Sequence, residues 1–259
     1  MNNREILKIA MEQSAIDLCA EPADFERSEN VIVTSYENEG ARRYLRLPFS
    51  CQLVSYGNNV VASVSPEFYE ITENYINKYA LEHLFETPNL HVLNDALVEK
   101  GQKICFMAEY FLPDVEILEK KTVENACPYE TKILTQEDFS CLYLPEWSNA
   151  LCENRKHLDV LGVGAYDGER LVGLAACSAD CDTMWQIGVD VLLEYRRQGI
   201  ASALTTRLAI EILKRGKVPF YCAAWCNVKS VRNAIRSGFK PAWVEMTAKS
   251  CETVAEMNK

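Results

Sequence analysis

The sequence predicts an α/β (α+β) fold in two domains, and three observations carry that expectation. At 259 residues the chain exceeds the roughly 100 to 200 residues that a single domain usually takes. Its apolar and charged fractions, 48% and 25%, are those of a globular protein able to bury a core. Its C-terminal half alternates β-rich runs with helical stripes in the order β-β-β-α-β-α-β.

The first half opens on a helix with Ile6, Ile9, Ala10 and Ile16 near one face. "CQLVSYGNNVVASVS" follows as a hairpin, two β-rich runs joined at Gly57, Asn58 and Asn59. Ser65 and Pro66 have the character of an N-cap and first helical position, ahead of Phe68, Ile71, Tyr75, Ile76 and Tyr79 at helical spacing. A helix around Leu90 to Lys100 and the strand "KICFMAEYFL" close a small α/β unit at Pro113. Residues 114–130 carry charges, Pro128 and little periodicity. They read as a linker, which sets the domains at 1–130 and 131–259.

In the second half, "LDVLGVGAYDGERLVGLAACSA" is a hairpin whose tip, Asp167 and Gly168, suits the positive φ angles of a tight turn. "MWQIGVDVL" is a third strand. Ile200, Ala203, Leu204, Leu208 and Ile212 form an apolar helical stripe that Gly216 ends. "VPFYCAAW" is the next strand, Asn227 to Ser237 a second helix and "FKPAWVEM" a returning strand.

A formal net charge of −10 repels nucleic-acid phosphates, so no nucleic-acid partner is expected. No stretch approaches the ~18 apolar residues that span a bilayer, and "MNNREILKIAMEQ" lacks an apolar signal core. The expected location is the cytoplasm, with no membrane partner. The cysteines number 11, an odd count without a secretion signal, which favours free thiols over a disulfide framework. Cys177 with Cys181 and Cys222 with Cys226 have C-x-x-x-C spacing, but they lie in apolar runs rather than in metal knuckles. No metal is expected.

The most distinctive stretch is "EYRRQGIASAL", where Arg196 and Arg197 precede Gly199 and a helix start. A strand that passes through arginines and glycine into a helix exposes backbone N–H groups to an anion. Strand "IGVDV", this turn with Arg-x-x-Gly-x-Ala at Arg196, Gly199 and Ala201, and "AWCNVKSVRNAIRSGF" together resemble the GNAT acetyltransferase superfamily over about the last 130 residues. "GVDVLLEYRRQGIASAL", "VPFYCAAWCNVKS" and "GFKPAWVEM" look like its branch that includes the zwittermicin-resistance acetyltransferases.

The resemblance implies a C-terminal GNAT fold, a mixed, mostly antiparallel twisted sheet flanked by helices, and the smaller N-terminal α/β domain is expected from its position to shape the acceptor pocket. It implies acetyl-CoA as co-substrate, its pyrophosphate held by Arg196, Arg197, Gln198, Gly199, Ile200, Ala201 and Ser202. Gly199 and Ala201 admit the phosphate to the backbone, and Ser202 can donate from its hydroxyl. Strand Ile187 to Val191 is expected to splay from strand Val218 to Trp225 and open a wedge for pantetheine. Val191 then offers backbone groups to pantetheine, and the Val189 N–H faces the thioester carbonyl as oxyanion donor. Asn227 and Ser230 match positions that contact CoA in relatives, although helix capping explains them equally.

The implied chemistry is direct attack of an amine on the thioester, which needs a base and often an acid for the leaving thiolate. Many relatives place a tyrosine four residues before the "GF" glycine as that acid, and this chain has Ala234 there. Ser230 or a water is the substitute, or else the thiolate, a good leaving group, departs unassisted. Asp190 is the first candidate base, ahead of Glu146 and His157. The expected function is N-acetylation of a small-molecule amine by a monomer or homodimer. Protein or peptide acetylation, and a non-catalytic acyl-CoA sensor, are the alternatives.

Overall fold

The computed structural model of the protein describes residues 1–124 and 126–259, the side chains of 122–124 excepted. In chain order the elements are helix α1 (Asn3–Leu18), strands β1 (Val31–Thr34), β2 (Cys51–Ser55) and β3 (Val61–Val64), and helices α2 (Tyr69–Ile76) and α3 (Thr87–Val98). Strand β4 (Gln102–Pro113), helix α4 (Val115–Glu124) and strands β5 (Glu130–Thr135), β6 (Asp159–Asp167), β7 (Arg170–Ser178) and β8 (Met184–Val191) follow. Helix α5 (Ile200–Lys214), strand β9 (Val218–Ala223), helix α6 (Val228–Arg236), strand β10 (Phe239–Ser250) and helix α7 (Cys251–Met257) end the series.

Packing divides this chain into two compact units, residues 1–10 with 110–241 and residues 11–109 with 242–259. The divisions differ from the cut at 130, because those at 109/110 and 241/242 fall inside β4 and β10. An apolar strand has no linker composition, so nothing in its residues marks such a boundary. The predicted linker is itself largely helical: α4 occupies residues 115–124, and residue 125 lies outside the described residues.

In the first unit the strand order is β9-β8-β7-β6-β5. Strands β5 to β8 pair antiparallel and β8 with β9 parallel, the mixed and mostly antiparallel sheet that was expected. The β6–β7 hairpin turns through Gly168 at φ 61°. The predicted α5 stripe is buried throughout, packing on Val163, Ala175, Ile187 and Tyr221, and Gly216 at φ 73° ends the helix. Strand β5 escapes sequence reading because only Leu134 of its residues is buried.

Helix α4 is likewise faint in sequence, with Leu118 its one side chain in the core cluster among the described residues. Its start is fixed by Asp114, whose Oδ1 accepts the Ile117 N–H at 3.0 Å and whose Oδ2 takes the Lys240 ammonium. The Lys240 bond, with the Ile117 bond, holds this carboxyl below its ordinary range against partial burial. A depressed carboxyl contributes stability above the usual aspartate pKa and loses it as pH falls through the folded value. Asp114→Asn is therefore expected to lower the neutral-pH melting temperature by about 2 °C. The difference should fade below about pH 4 in melts across a pH series.

In the second unit β2 and β3 form the predicted hairpin, β1 joins β3 in parallel, and β10 pairs with β2 through Val244 to Thr247. Phe68, Tyr75 and Ile76 are buried with Leu93 and Leu97, as the helical stripe predicted. Ile16 is 38% exposed, against expectation, because this part of α1 buries Gln13, Ser14 and Asp17 instead. Asp17 binds the Arg42 side chain and accepts its backbone N–H at 2.8 Å. Arg42 also donates to Glu245 Oε1 at 2.7 Å. Trp243 Nε1 meets the same oxygen at 2.8 Å. Burial pushes the Asp17 carboxyl up, and Arg42 pulls it back.

Among the described residues no helix is long and apolar enough to cross a membrane.

Candidate active site

Strands β8 and β9 pair only from Met184 with Val218 to Gln186 with Phe220. Beyond Gln186 they part, at the place where the splay was expected. The gap opens into a cleft of about 1320 Å³ lined by β8, β9, the turn before α5, α6 and residues 148–152. Leu192 donates its N–H to the Val172 carbonyl at 3.0 Å. N–H groups alternate sides along a pleated strand. Gly188 and Asp190 therefore face β7, and the N–H groups of Val189 and Val191 face the open edge.

The turn after β8 is held in a form that favours glycine. Arg197 and Gly199 have φ of 69° and 84°, and Gly199 is the N-cap of α5. The Ala203 N–H returns to the Gly199 carbonyl at 3.1 Å, leaving the N–H groups of Ile200, Ala201 and Ser202 without helical partners. A Cβ on Gly199 would meet nothing within 4 Å, so conformation rather than crowding demands the glycine. Just before the turn, Arg170 pairs with Glu194 at 2.6 Å and Tyr195 donates to Asp167 at 2.9 Å. These bonds tie the turn to the β6–β7 hairpin.

Of the residues expected to bind phosphate, Arg196, Arg197, Gly199, Ile200, Ala201 and Ser202 line the cleft. Gln198 does not, and its Oε1 accepts from the Tyr129 hydroxyl at 2.9 Å. Arg196 spends its Nε on the Val191 carbonyl at 2.9 Å, so it braces the turn against β8 as well as adding charge. The Ser202 hydroxyl, expected to face a ligand, donates to the Gly199 carbonyl at 3.0 Å. Lys229, Arg232 and Arg236 of α6 also line the cleft, a basic stripe at helical spacing that sequence reading passed over.

Asp190, the first candidate base, stands in the cleft wall with both carboxylate oxygens hydrogen-bonded. It is 9% exposed, and its Oδ2 accepts the Asn149 and Ala150 N–H groups at 2.8 and 3.0 Å while Oδ1 takes the Asn149 side-chain amide at 2.7 Å. Both of its oxygens are thus committed to the 149–150 segment. Asp190 clasps the 148–151 segment onto β8. The approach is so close that a Cβ on Gly188 would lie 1.9 Å from the Asn149 carbonyl oxygen. Glu146 and His157, the other candidate bases, are exposed and outside the cleft lining.

On the opposite wall Tyr221 of β9 is 4% exposed, and its hydroxyl lies 2.9 Å from Ser230 Oγ. Both residues line the cleft. Burial pushes the Tyr221 phenol above its ordinary pKa, with Ser230 and Asn233 opposing, so it carries its proton at neutral pH. Asn227 is the cap of α6, accepting the Ser230 N–H at 3.2 Å. The Ser230 hydroxyl is thereby left to Tyr221. Ala234 is fully buried. Tyr221 was missed because its partner comes from another element, and one tyrosine in an apolar strand carries no motif.

Cys177 and Cys181 are buried, Cys222 is half-buried and Cys226 exposed. Among the described residues no group of three or more His, Cys, Asp or Glu is placed to hold a metal ion.

The sequence model of the GNAT acetyltransferase family matches residues 57–242. No curated protein matches the chain. Among solved structures, a GCN5-related N-acetyltransferase-like protein from Streptococcus suis is 20% identical, with 62% of this chain and 69% of that one covered and a TM-score of 0.46. A GNAT-family acetyltransferase from Colwellia psychrerythraea is 16% identical, with coverage of 73% and 76% and a TM-score of 0.44. The structure of yncA from Salmonella typhimurium, solved with its cofactor acetyl-CoA, is 14% identical, with coverage of 48% and 94% and a TM-score of 0.34.

Proposed function

The chain belongs to the GNAT acetyltransferase family, and from that premise we propose that it moves the acetyl group of acetyl-CoA to the amine of a small molecule by direct attack. The observation that carries this reading is a concentration of positive charge in a protein of net charge −10. Arg196, Arg197, Lys229, Arg232 and Arg236 line one arm of the cleft, together with the unspent N–H groups at the start of α5. Phosphates of CoA suit that arm. The open edge of β8 then receives pantetheine, with Val191 as a backbone partner and the Val189 N–H directed at the thioester carbonyl.

In the reaction the amine nitrogen adds to the thioester carbon, and the carbonyl oxygen gains negative charge beside the Val189 N–H. Collapse breaks the carbon–sulfur bond. The departing thiolate takes a proton from Tyr221, the hydroxyl of Ser230 holding the phenol in line, and the amine gives up its own proton to water in the cleft. Asp190 serves as a positioning residue, keeping the 148–151 wall against β8. The motif "GVDVLLEYRRQGIASAL" favours the zwittermicin-resistance branch, and the proposed setting is the cytoplasm.

Release of thiol from acetyl-CoA over an amine panel tests the activity, and Tyr221→Phe tests the acid. We expect kcat to fall about a hundredfold while CoA affinity changes by less than about twofold. Ser230→Ala should lower kcat by about tenfold or more in the same assay. A Tyr221→Phe enzyme that melts early but turns over normally would make the phenol structural.

A further inference from the structure

The end of the cleft away from the arginine turn carries a buried carboxylate. Asp159, Ser178 and Gln186 stand in one row across β6, β7 and β8, and they line the cleft with Cys152 and Arg155. Asp159 is 1% exposed. Its Oδ2 accepts the Cys152 N–H at 2.9 Å and the Tyr143 hydroxyl at 3.2 Å, and its Oδ1 receives no hydrogen bond from the described residues. Asp180, fully buried, accepts from the Ser178 hydroxyl at 2.8 Å and pairs with Arg155 at 3.3 Å.

Arg155 acts on both carboxylates, and His157 nearby is exposed. An uncompensated buried charge is costly. Burial accordingly pushes the Asp159 carboxyl above its usual range, and the Cys152 N–H, Tyr143, Arg155 and His157 only partly restore it. A cation arriving through the cleft would meet the Asp159 oxygen that accepts no hydrogen bond from the described residues.

We propose that this end of the cleft seats a second, protonated amine of the acceptor on Asp159, so that the acceptor class is an extended diamine or polyamine. The proposal rests on the acetyl-transfer reading above, which places the reacting amine where β8 and β9 part. Gln186 stands at that point, two strands from Asp159. With about 4.8 Å between strands, the two nitrogens lie about 10 Å apart. The amine that reacts is neutral, and the distant one keeps its proton.

Calorimetry with 1,7-diaminoheptane and heptylamine, on the protein alone and saturated with CoA, tests this. The diamine should bind about tenfold or more tightly than the monoamine, the scale of one charge-assisted hydrogen bond. Asp159→Asn keeps an oxygen for Cys152 and Tyr143 and should erase that difference. Equal affinity of the two amines for the wild type, or an undiminished difference in Asp159→Asn, overturns the proposal. A CoA titration separates the two readings. Binding of CoA without diamine preference removes the amine site alone, whereas diamine preference without CoA binding removes the acetyl-CoA reading and leaves the amine site standing.

Discussion

Gly199→Glu should abolish CoA binding in a protein that still folds. The substituted carboxylate would stand among the unspent N–H groups of Ile200, Ala201 and Ser202 and beside Arg197, where it would compete for the charge that the proposed pyrophosphate site needs. Crowding is not the cause, since a Cβ at this position meets nothing within 4 Å. The φ of 84° costs an L-residue about 1 kcal/mol, a loss the fold should survive. Gly199→Ala separates the effects, carrying the backbone strain without the charge, and should weaken binding far less. Calorimetry with CoA beside thermal melts decides the matter: unchanged affinity in folded Gly199→Glu would remove the turn from the site.

Arg42→Ala should destabilise the protein by about 3–5 kcal/mol, the usual cost of removing one partner from a buried ionic group. Arg42 is 4% exposed, and its loss leaves Asp17 and Glu245 as like charges without their shared cation. Replacing all three by apolar residues of similar volume should be much less harmful, because no orphan charge remains. Urea unfolding of the single and triple variants distinguishes these outcomes. A loss below about 1 kcal/mol in Arg42→Ala would mean that water reaches the cluster.

The turn at Arg196 to Ser202 was legible in sequence because its conformational demand and its charge lie in one contiguous run. Hairpins announced themselves for the same reason, through local alternation broken at Gly57 and Gly168. What escaped depended on distant partners. That Asp190 clasps the 148–151 segment onto β8 shows only once that segment is folded against it. Tyr221 reads as strand filler until α6 brings Ser230 to it. The division of packing inside β4 and β10 is equally silent, since both halves of such a strand obey one pattern. Strand β5 and helix α4 escaped because each buries so little that its periodicity is faint.

The Arg42 cluster also sets an order on synthesis. Asp17 and Arg42 leave the ribosome early, yet Glu245 lies 203 residues beyond Arg42, on the same strand that pairs with β2. For most of translation β2 therefore waits with one edge unpaired. Newly made β2 and β3 are exposed to other chains during that interval. Premature termination anywhere before β10 would leave this unit without both a strand and a countercharge. Such fragments should be recognised by chaperones or proteases, however complete their first two hundred residues are.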